Sequence, residues 1–185
     1  MSAVVTTLSY ADYLAAEASS PVKHEFLRGV VWAMAGGTIE HGRLQAALIS
    51  ALATALRGKP CVVLTSDVRV RVEATDRTTY PDVTVVCGKR EVSPVDPNAV
   101  TNPTVLVEVL SEGTERADRG EKFAHYRHLS SLQEYVLVNT HERRIEVFRR
   151  SDASWTFTEA TEGALRLASL DVTLDVDAIY FDPTG

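Results

Sequence analysis

The sequence predicts an α/β (α+β) domain in which helices flank one central mixed β-sheet. Two runs, 83–87 and 104–110, are apolar on both faces, which is typical of central strands covered on both sides. From Leu44 to Leu56 a leucine recurs at every fourth position with alanines beside it, which is typical of a helix with one wide apolar face. Such a helix can cover the sheet. Strands and helices are mixed along the chain without an internal repeat, so we expect them to share one sheet.

In the first half of the chain, a helix is predicted over 10–17, before a Ser-Ser-Pro breaker. Residues 25–34 have the pattern of a β-hairpin with Arg28-Gly29 in its turn. The leucine-rich helix should end at Gly58, where glycine favours a helix C-terminus. Residues 61–73 begin as an apolar run and then alternate strictly, so we expect one strand that is buried at one end.

In the second half, Asp118-Arg119-Gly120-Glu121 resembles a capping box and predicts a short helix through Phe123 and Leu129. Apolar, β-branched runs predict three further strands, at 135–138, 144–148 and 155–158. The tail, 165–181, alternates leucine, valine and aspartate without a sharp period. We expect strand or loop there.

Length and composition predict a single domain spanning residues 1–185. Hydrophobic residues make up 45% and charged residues 24%, the balance of a globular chain rather than a disordered one. No apolar stretch approaches the roughly 20 residues needed to cross a bilayer, and the N-terminus lacks a basic region followed by a hydrophobic run. We therefore expect a cytoplasmic protein with no membrane partner.

The two cysteines, Cys61 and Cys87, lie inside apolar runs. A thiol in such a run behaves as a small buried hydrophobe, so a disulfide framework is not expected.

The charge balance excludes a protein that coats nucleic acid through bulk positive charge. Lys and Arg number 19 against 25 Asp and Glu, for a net charge of −6. Any nucleic-acid contact must be local, and the nearest candidates for binding phosphates are Arg116, Arg119, Lys122 and Arg127. The alternative for this segment is a solvated helix face balanced by its own acidic residues.

Asp82 and Glu108 are acidic residues in apolar strand regions, where burial alone would favour hydrophobic residues. Asp82 follows Tyr80-Pro81 at the start of one central strand, and Glu108 is an isolated carboxylate within the other. Burying an unpaired carboxylate costs several kcal/mol, so Glu108 needs a metal, a cation or several donors. Considered separately, Asp82 would be a turn aspartate that begins a strand, and Glu108 would be a strand-end residue paired with an arginine. On neighbouring strands they can meet at one sheet end, where two carboxylates and a strand carbonyl suit Mg²⁺.

A Pro-Asp dipeptide, an acid in a later buried strand and a nearby lysine resemble the PD-(D/E)xK nuclease superfamily. Within it the chain is similar to the Uma2 family of predicted bacterial endonucleases. The similarity runs from about Glu25 to Val138 and is specific because of the order and spacing of its parts. These are Glu25-Phe26-Leu27-Arg28-Gly29, Gly36-Gly37-Thr38 followed by His41, Tyr80-Pro81-Asp82, Val107-Glu108-Val109-Leu110-Ser111, Asp118-Arg119-Gly120-Glu121-Lys122, Tyr126 and Glu134-Tyr135-Val136-Leu137-Val138.

The resemblance implies a restriction-endonuclease-like fold and a DNA endonuclease that uses Mg²⁺ (or Mn²⁺) to hydrolyse phosphodiester bonds. Asp82, Glu108 and the backbone carbonyl of Val109 or Leu110 would hold the metal. The superfamily has its lysine two residues after the second acid, where this chain has Leu110. The resemblance suggests Lys122, on the following helix, as the substitute that orients water or stabilises the transition state.

Glu25 and His41 complete the set of candidate catalytic residues. Glu25 would bind a second metal or position water, and its alternative is a surface carboxylate opposite His24. His41, near the start of the leucine-rich helix, would contact a phosphate or act as a general base. Its alternative is an ordinary residue of the helix cap.

Two other functions stay open, because a fold does not decide a function. A catalytically inactive regulatory or nucleic-acid-associated domain is suggested by Leu110 and by the acidic charge. A hydrolase of a small phosphorylated substrate fits the acid pair without requiring a DNA-binding surface. DNA is the expected substrate, and a homodimer is expected because one small domain cuts both strands most easily as a twofold pair.

Overall fold

The computed structural model describes residues 7–152 and 154–184, and most of its strands belong to two six-stranded sheets. The first sheet consists of β1 (His24–Leu27), β2 (Val30–Ala33), β4 (Arg69–Val72), β5 (Arg77–Thr79), β7 (Val92–Ser93) and β8 (Asp96–Val100). The second consists of β3 (Cys61–Thr65), β6 (Val83–Cys87), β9 (Val105–Val109), β10 (Glu134–Val138), β11 (Ile145–Ser151) and β12 (Ser154–Ala160). A small third sheet pairs β13 (Ala164–Leu167) with β14 (Val172–Asp175).

The helices are α1 (Tyr10–Glu17), α2 (Ile39–Ala55), α3 (Glu115–Ala117), α4 (Phe123–Tyr126) and α5 (Val176–Tyr180), and a π-helical turn, Asp118–Lys122, joins α3 to α4. None of the helices in the described part of the chain is long and apolar enough to cross a membrane.

The predicted fold class is confirmed, but the helices flank two large mixed sheets and not one. The order is β2-β1-β5-β4-β8-β7 in the first sheet and β12-β11-β10-β9-β6-β3 in the second. The prediction of one strand over 61–73 is wrong, because a turn at 66–68 sends its two halves, β3 and β4, into different sheets. An alternating pattern continues through such a turn, so it does not reveal the break.

Strand β9 lies inside the second sheet and separates two apolar cores. It pairs in parallel with β10 and antiparallel with β6. Val105, Val107 and Val109 pack in the core that contains the leucines of α2. Leu106 and Leu110 pack in the other core, with α4 and with valines of β4. Because side chains alternate along a strand, Glu108 points to this second side, the side from which α4 approaches.

The predicted first helix, hairpin and leucine-rich helix are confirmed, but α2 ends at Ala55 and a turn at 56–58 follows it up to Gly58. Helix α1 begins after Ser9, whose side chain accepts a hydrogen bond from the backbone N–H of Asp12. The hairpin β1–β2 turns at Arg28 and Gly29, whose φ angles are 48° and 87°. Positive φ at both central residues is what a type I′ hairpin turn requires. Helix α2 buries Leu44 and the leucines that follow it at helical spacing.

Three predictions for the rest of the chain need correction. The capping box is wrong: Asp118 has helical φ and ψ, −64° and −45°, and its side chain caps nothing. The helical segment begins earlier, because the backbone carbonyl of Ser111 already accepts a hydrogen bond from the backbone N–H of Glu115 at 2.9 Å. Strands β5, β7 and β8 were not predicted, since they are short and β8 contains Pro97, which strand patterns disfavour. The tail, where strand or loop was expected, contains the strands β13 and β14 and also the helix α5.

The expectation that no disulfide forms is also wrong. Cys61 and Cys87 lie directly opposite each other where β3 pairs antiparallel with β6, their Cα atoms are 4.0 Å apart, and they are disulfide-bonded. The apolar runs correctly placed both cysteines in strands. Which strand lies beside which is a property of the sheet, so the pairing could not be read from the runs.

Candidate active site

Asp82 and Glu108 lie at the same end of the second sheet. Strands β6 and β9 are antiparallel neighbours with Val83 opposite Val107, so the start of β6 lies beside the end of β9. Asp82 precedes β6, and its Oδ2 accepts a hydrogen bond from the backbone N–H of Val109 at 2.7 Å. The side-chain amide of Gln45 in α2 donates to the backbone carbonyl of Asp82 at 2.9 Å. These bonds fix Asp82 against the strand that carries Glu108.

Lys122 extends from the π-helical turn into a group of three carboxylates. Its Nζ lies 3.3 Å from Oε1 of Glu108, 3.3 Å from Oε1 of Glu25 and 2.9 Å from Oδ1 of Asp118. Burial by itself lowers the pKa of Lys122, but the surrounding carboxylates outweigh it and hold that pKa well above the ordinary value. Lys122 is therefore a charged ammonium group. Together with Asp82, Glu25, Glu108 and Asp118 it forms the sheet-end cluster.

Glu108 is held by donors on its buried side. Its Oε1 accepts from the hydroxyl of Tyr126 at 2.9 Å and lies within reach of Lys122, while Tyr126 also contacts the hydroxyl of Thr79 at 2.8 Å. Burial raises the pKa of Glu108 well above its usual range; Lys122 opposes this shift and the nearby acids add to it. Among the described residues, none hydrogen-bonds to its second oxygen, Oε2. Glu108 therefore keeps one oxygen available to a ligand.

Leu110 occupies the position where the superfamily motif has its lysine, and it belongs to the core. Its side chain is buried, 2% exposed, in the cluster that contains Leu106 and Phe123. Its backbone carbonyl accepts from the hydroxyl of Thr140 at 2.8 Å. Val109 lines the pocket in front of Asp82, whereas Leu110 does not. Of the two residues predicted to offer a carbonyl to a metal, Val109 is therefore the one at the pocket.

His41 lies in the first turn of α2 beside Asp82. Thr38 caps the helix by accepting the backbone N–H of His41 at 3.2 Å, and Nε2 of the ring lies 3.3 Å from Oδ2 of Asp82. The hydrogen bond with Asp82 raises the pKa of His41, although burial opposes the shift. A Cβ atom on Gly37 would lie 2.9 Å from Nδ1 of His41, so the ring has room because residue 37 is glycine.

Glu25 is buried, and the alternative of a surface carboxylate opposite His24 is wrong. Its side chain is 4% exposed, and its Oε2 accepts from Nη2 of Arg77 at 2.9 Å. His24 pairs with Glu17 at 2.9 Å instead. Glu25 touches Lys122 but does not line the pocket in front of Asp82.

A pocket of about 490 Å³ opens onto this cluster. Asp82, Glu108, Asp118 and Lys122 form its buried part. Its outer wall comes from residues 21–23, before β1, and from residues 34–38, between β2 and α2. The charged side chains of the candidate site are therefore recessed below the protein surface.

The sequence reasoning missed Asp118, a member of the cluster, and Arg77, which pairs with Glu25. Asp118 is 2% exposed on its side chain and contacts Lys122 four residues later. That spacing was visible, but it indicates a contact only inside a helix, and the helix was predicted to begin at Asp118. Arg77 lies on β5, which was not predicted, and its guanidinium stacks over Trp32 with 4.6 Å between Cζ and the ring centroid.

The four candidate phosphate-binding cations do not form one basic patch. Arg119 bonds to Glu115 at 2.6 Å and also to Glu146, as the charge-balanced alternative predicts. Arg127 stacks over the ring of Phe123, and Lys122 is buried. Arg116 is exposed, and no ion pair in the described part of the chain includes it.

The donor atoms at the sheet end fit a hard divalent cation. Asp82 and Glu108 supply carboxylates and Val109 a carbonyl, and Mg²⁺ commonly takes one or two carboxylates while keeping several waters. No set of three or more His, Cys, Asp or Glu side chains in the described residues forms a complete metal cage. Glu25, Glu108 and Asp118 contact Lys122, Arg77 pairs with Glu25, and Asp82 contacts His41. A cation bound by Asp82 and Glu108 would add positive charge beside these carboxylates.

Comparisons with known proteins find relatives that match most of the chain. Residues 10–177 match the model of the Uma2 family, which is described as "Putative restriction endonuclease". The uncharacterized protein slr1290 of Synechocystis sp. (strain ATCC 27184 / PCC 6803 / Kazusa) is 34% identical over 181 residues, which cover 97% of this chain and 94% of that protein. The uncharacterized protein sll1609 of the same organism is 33% identical over 162 residues, covering 86% of this chain and 92% of that protein.

A solved structure from Anabaena variabilis ATCC 29413, described as "a putative nuclease belonging to DUF820", aligns with a TM-score of 0.72 and 14% identity. The alignment covers 94% of this chain and 97% of that one. At this identity the likeness supports the fold, which is consistent with the restriction-endonuclease-like fold expected from the sequence.

Proposed function

Because this chain belongs to the Uma2 family, we propose that it is a nuclease that uses Mg²⁺ or Mn²⁺ to hydrolyse phosphodiester bonds in DNA. The observation that carries the proposal is the contact between Lys122 and Glu108 at the sheet end that Asp82 also occupies. Lys122 thus supplies the positive charge that Leu110 lacks. The alternative of an inactive domain was suggested by Leu110, and a lysine that reaches Glu108 from another element weakens that argument.

Asp82, Glu108 and the Val109 carbonyl would hold the metal. When bound, the cation lowers the pKa of a water molecule and offsets negative charge that develops on the phosphate. Tyr126 and Lys122 hold one oxygen of Glu108, which leaves the other for the metal. The backbone N–H of Val109 similarly holds Oδ2 of Asp82, which leaves Oδ1 for the metal.

Lys122 donates to the nucleophilic water or to a phosphate oxygen in the transition state. Glu25 and Asp118 are positioning residues, because they contact Lys122 and hold its ammonium group at the pocket. Arg77 in turn pairs with Glu25 and balances its charge. His41 orients Asp82 through its Nε2 and, when protonated, adds a positive charge near the phosphate.

The decisive experiment is incubation of the purified protein with Mg²⁺ or Mn²⁺ and supercoiled, linear and single-stranded DNA. We expect cleavage that stops with a chelator and in Asp82→Asn. Asp171→Asn is the matched control, because Asp171 is an exposed aspartate outside the cluster. Absence of cleavage of every substrate with both cations would contradict the proposal, as would equal cleavage by Asp82→Asn and the native protein.

A hydrolase of small phosphodiesters is the second candidate, and the recessed pocket of about 490 Å³ favours it. Hydrolysis of a small phosphodiester without cleavage or binding of any DNA would identify this function. The homodimer expected for cutting both strands belongs to the DNA proposal and is tested by light scattering during gel filtration.

A further inference from the structure

Three of the charged residues that line the pocket have buried side chains. The side chains of Glu108, Asp118 and Lys122 are 3%, 2% and 9% exposed. A volume of about 490 Å³ is within the range of pockets that enclose a small ligand. A phosphodiester must therefore enter the pocket to reach Lys122. In a duplex, the base pairs and the second strand accompany the phosphodiester to the pocket opening. This bulk hinders its entry.

The outer wall of the pocket contains apolar residues that a base could contact. They are Pro21, Val22, Met34 and Ala35. Val22 is 45% exposed, so its apolar surface is open to a ligand at the pocket. Unpaired bases bind to apolar and aromatic surfaces with their flat faces, and they do so with little sequence preference. In an intact duplex those faces are stacked and hidden.

The pocket as a whole offers few positive charges. The basic side chains that line it are Lys23 at the outer wall, and His41 and Lys122 deeper inside. Nζ of Lys23 lies 2.5 Å from Oδ1 of Asp67 and 2.9 Å from the carbonyl of Ser66, while Lys122 is enclosed by carboxylates. Proteins that bind duplex DNA neutralise several phosphates at once with Lys and Arg. The mouth of this pocket can neutralise few phosphates, which suits one strand better than two.

We propose that the pocket takes a phosphodiester from a single strand of nucleic acid, with an unpaired base against Val22 and Met34. This inference rests on the proposed nuclease function and specifies the substrate of the same site. The hydrolysed bond is the P–O bond of that phosphodiester: water supplies the new oxygen on phosphorus, and the leaving oxygen takes the proton.

The test compares kcat/KM for one labelled oligonucleotide free, annealed to its complement, and cut down to a dinucleotide of the same chemistry. Methyl p-nitrophenyl phosphate, which has no base, reports on the chemistry alone. We expect the free strand to be cleaved at least about tenfold faster than the duplex, because one base contact of ~1.4 kcal/mol corresponds to that factor. The dinucleotide should be slower than the strand.

Val22→Asp tests the apolar wall directly. It should raise KM for the free strand about tenfold, which corresponds to losing one base contact. Its effect on methyl p-nitrophenyl phosphate, which has no base, should be smaller than its effect on the strand. Val95→Asp is the matched control, since Val95 is 63% exposed and lies outside the pocket.

The outcomes separate this inference from the function on which it rests. Equal cleavage of free strand and duplex, or no effect of Val22→Asp on the strand, would overturn the single-strand inference and leave a nuclease. Equal cleavage of dinucleotide and strand would overturn it in favour of a short nucleotide substrate. Failure to hydrolyse any of these compounds, methyl p-nitrophenyl phosphate included, would overturn the nuclease proposal itself.

Discussion

The ammonium nitrogen of Lys122 lies 3.3 Å from Oε1 of Glu108, although the two residues belong to different elements, a π-helical turn and a central strand. In the superfamily motif the lysine follows on the strand itself, two residues after the acid. Here that position is Leu110, whose side chain packs in the core beneath α4. The helical segment thus provides the cation while the strand keeps its apolar packing. Single-turn π-bulges are often found at functional sites.

Lys122→Ala should lower kcat by about 10²–10³-fold, the usual effect of removing one donor to a transition state. Cation binding should persist, because the metal ligands remain. Cleavage assays and calorimetric cation titrations measure both effects, with the exposed Lys89→Ala as control. Unchanged cleavage in Lys122→Ala would remove this residue from the mechanism.

Restoring the superfamily pattern with Leu110→Lys in the Lys122→Ala background should fail to restore cleavage. Leu110 is 2% exposed among apolar side chains, so a lysine there places an unpaired charge in the core. We expect a lower melting temperature by calorimetry. A stable, active double variant would contradict the role of Leu110 as a core residue.

Divalent cations should stabilise the native protein and not Asp82→Asn. A ligand that binds only the folded state stabilises it by mass action, by about 2.7 kcal/mol at a hundredfold excess over Kd. The measurement is the melting temperature across a Mg²⁺ series, paired with titration calorimetry. Equal stabilisation of Asp82→Asn and Asp171→Asn would show that the cation binds elsewhere.

Asp118→Asn should lower kcat about tenfold and leave KM nearly unchanged. The substitution keeps the size of the side chain but removes one charge that holds Lys122, so the loss should appear in the chemical step. Glu112→Gln, on an exposed residue, is the control. Because burying a neutral amide can also reduce stability, melting temperatures are measured in parallel. An equal loss in kcat and in the fraction folded would indicate a structural role only.

The Cys61–Cys87 disulfide should stabilise the oxidised protein by about 3 kcal/mol, because it closes a loop in the unfolded chain between residues separated by 26 positions. Denaturant unfolding of the Cys61→Ser/Cys87→Ser variant, with and without reductant, measures the difference. The reduced native protein should resemble the variant. If reductant leaves the stability of the native protein unchanged, the cysteines do not pair in solution.

The sequence alone determined the features that depend on local pattern. The Arg28-Gly29 turn, the leucine-rich face of α2 and the apolar strands β6 and β9 follow from periodicity and turn chemistry within a few residues. An acid just before β6 and another within β9 led to the prediction that Asp82 and Glu108 meet at one end of the sheet. Antiparallel pairing of β6 with β9 then brings their ends together.

Only the tertiary structure decided which residues complete that site. Arg77 lies on a short strand without a clear pattern, and Asp118 faces Lys122 only because the helical segment begins before it. The division into two sheets and the pairing of Cys61 with Cys87 likewise depend on which strands become neighbours. Periodicity reports which face of an element is apolar. It does not report which distant element covers that face, because that choice is set by packing across the whole chain.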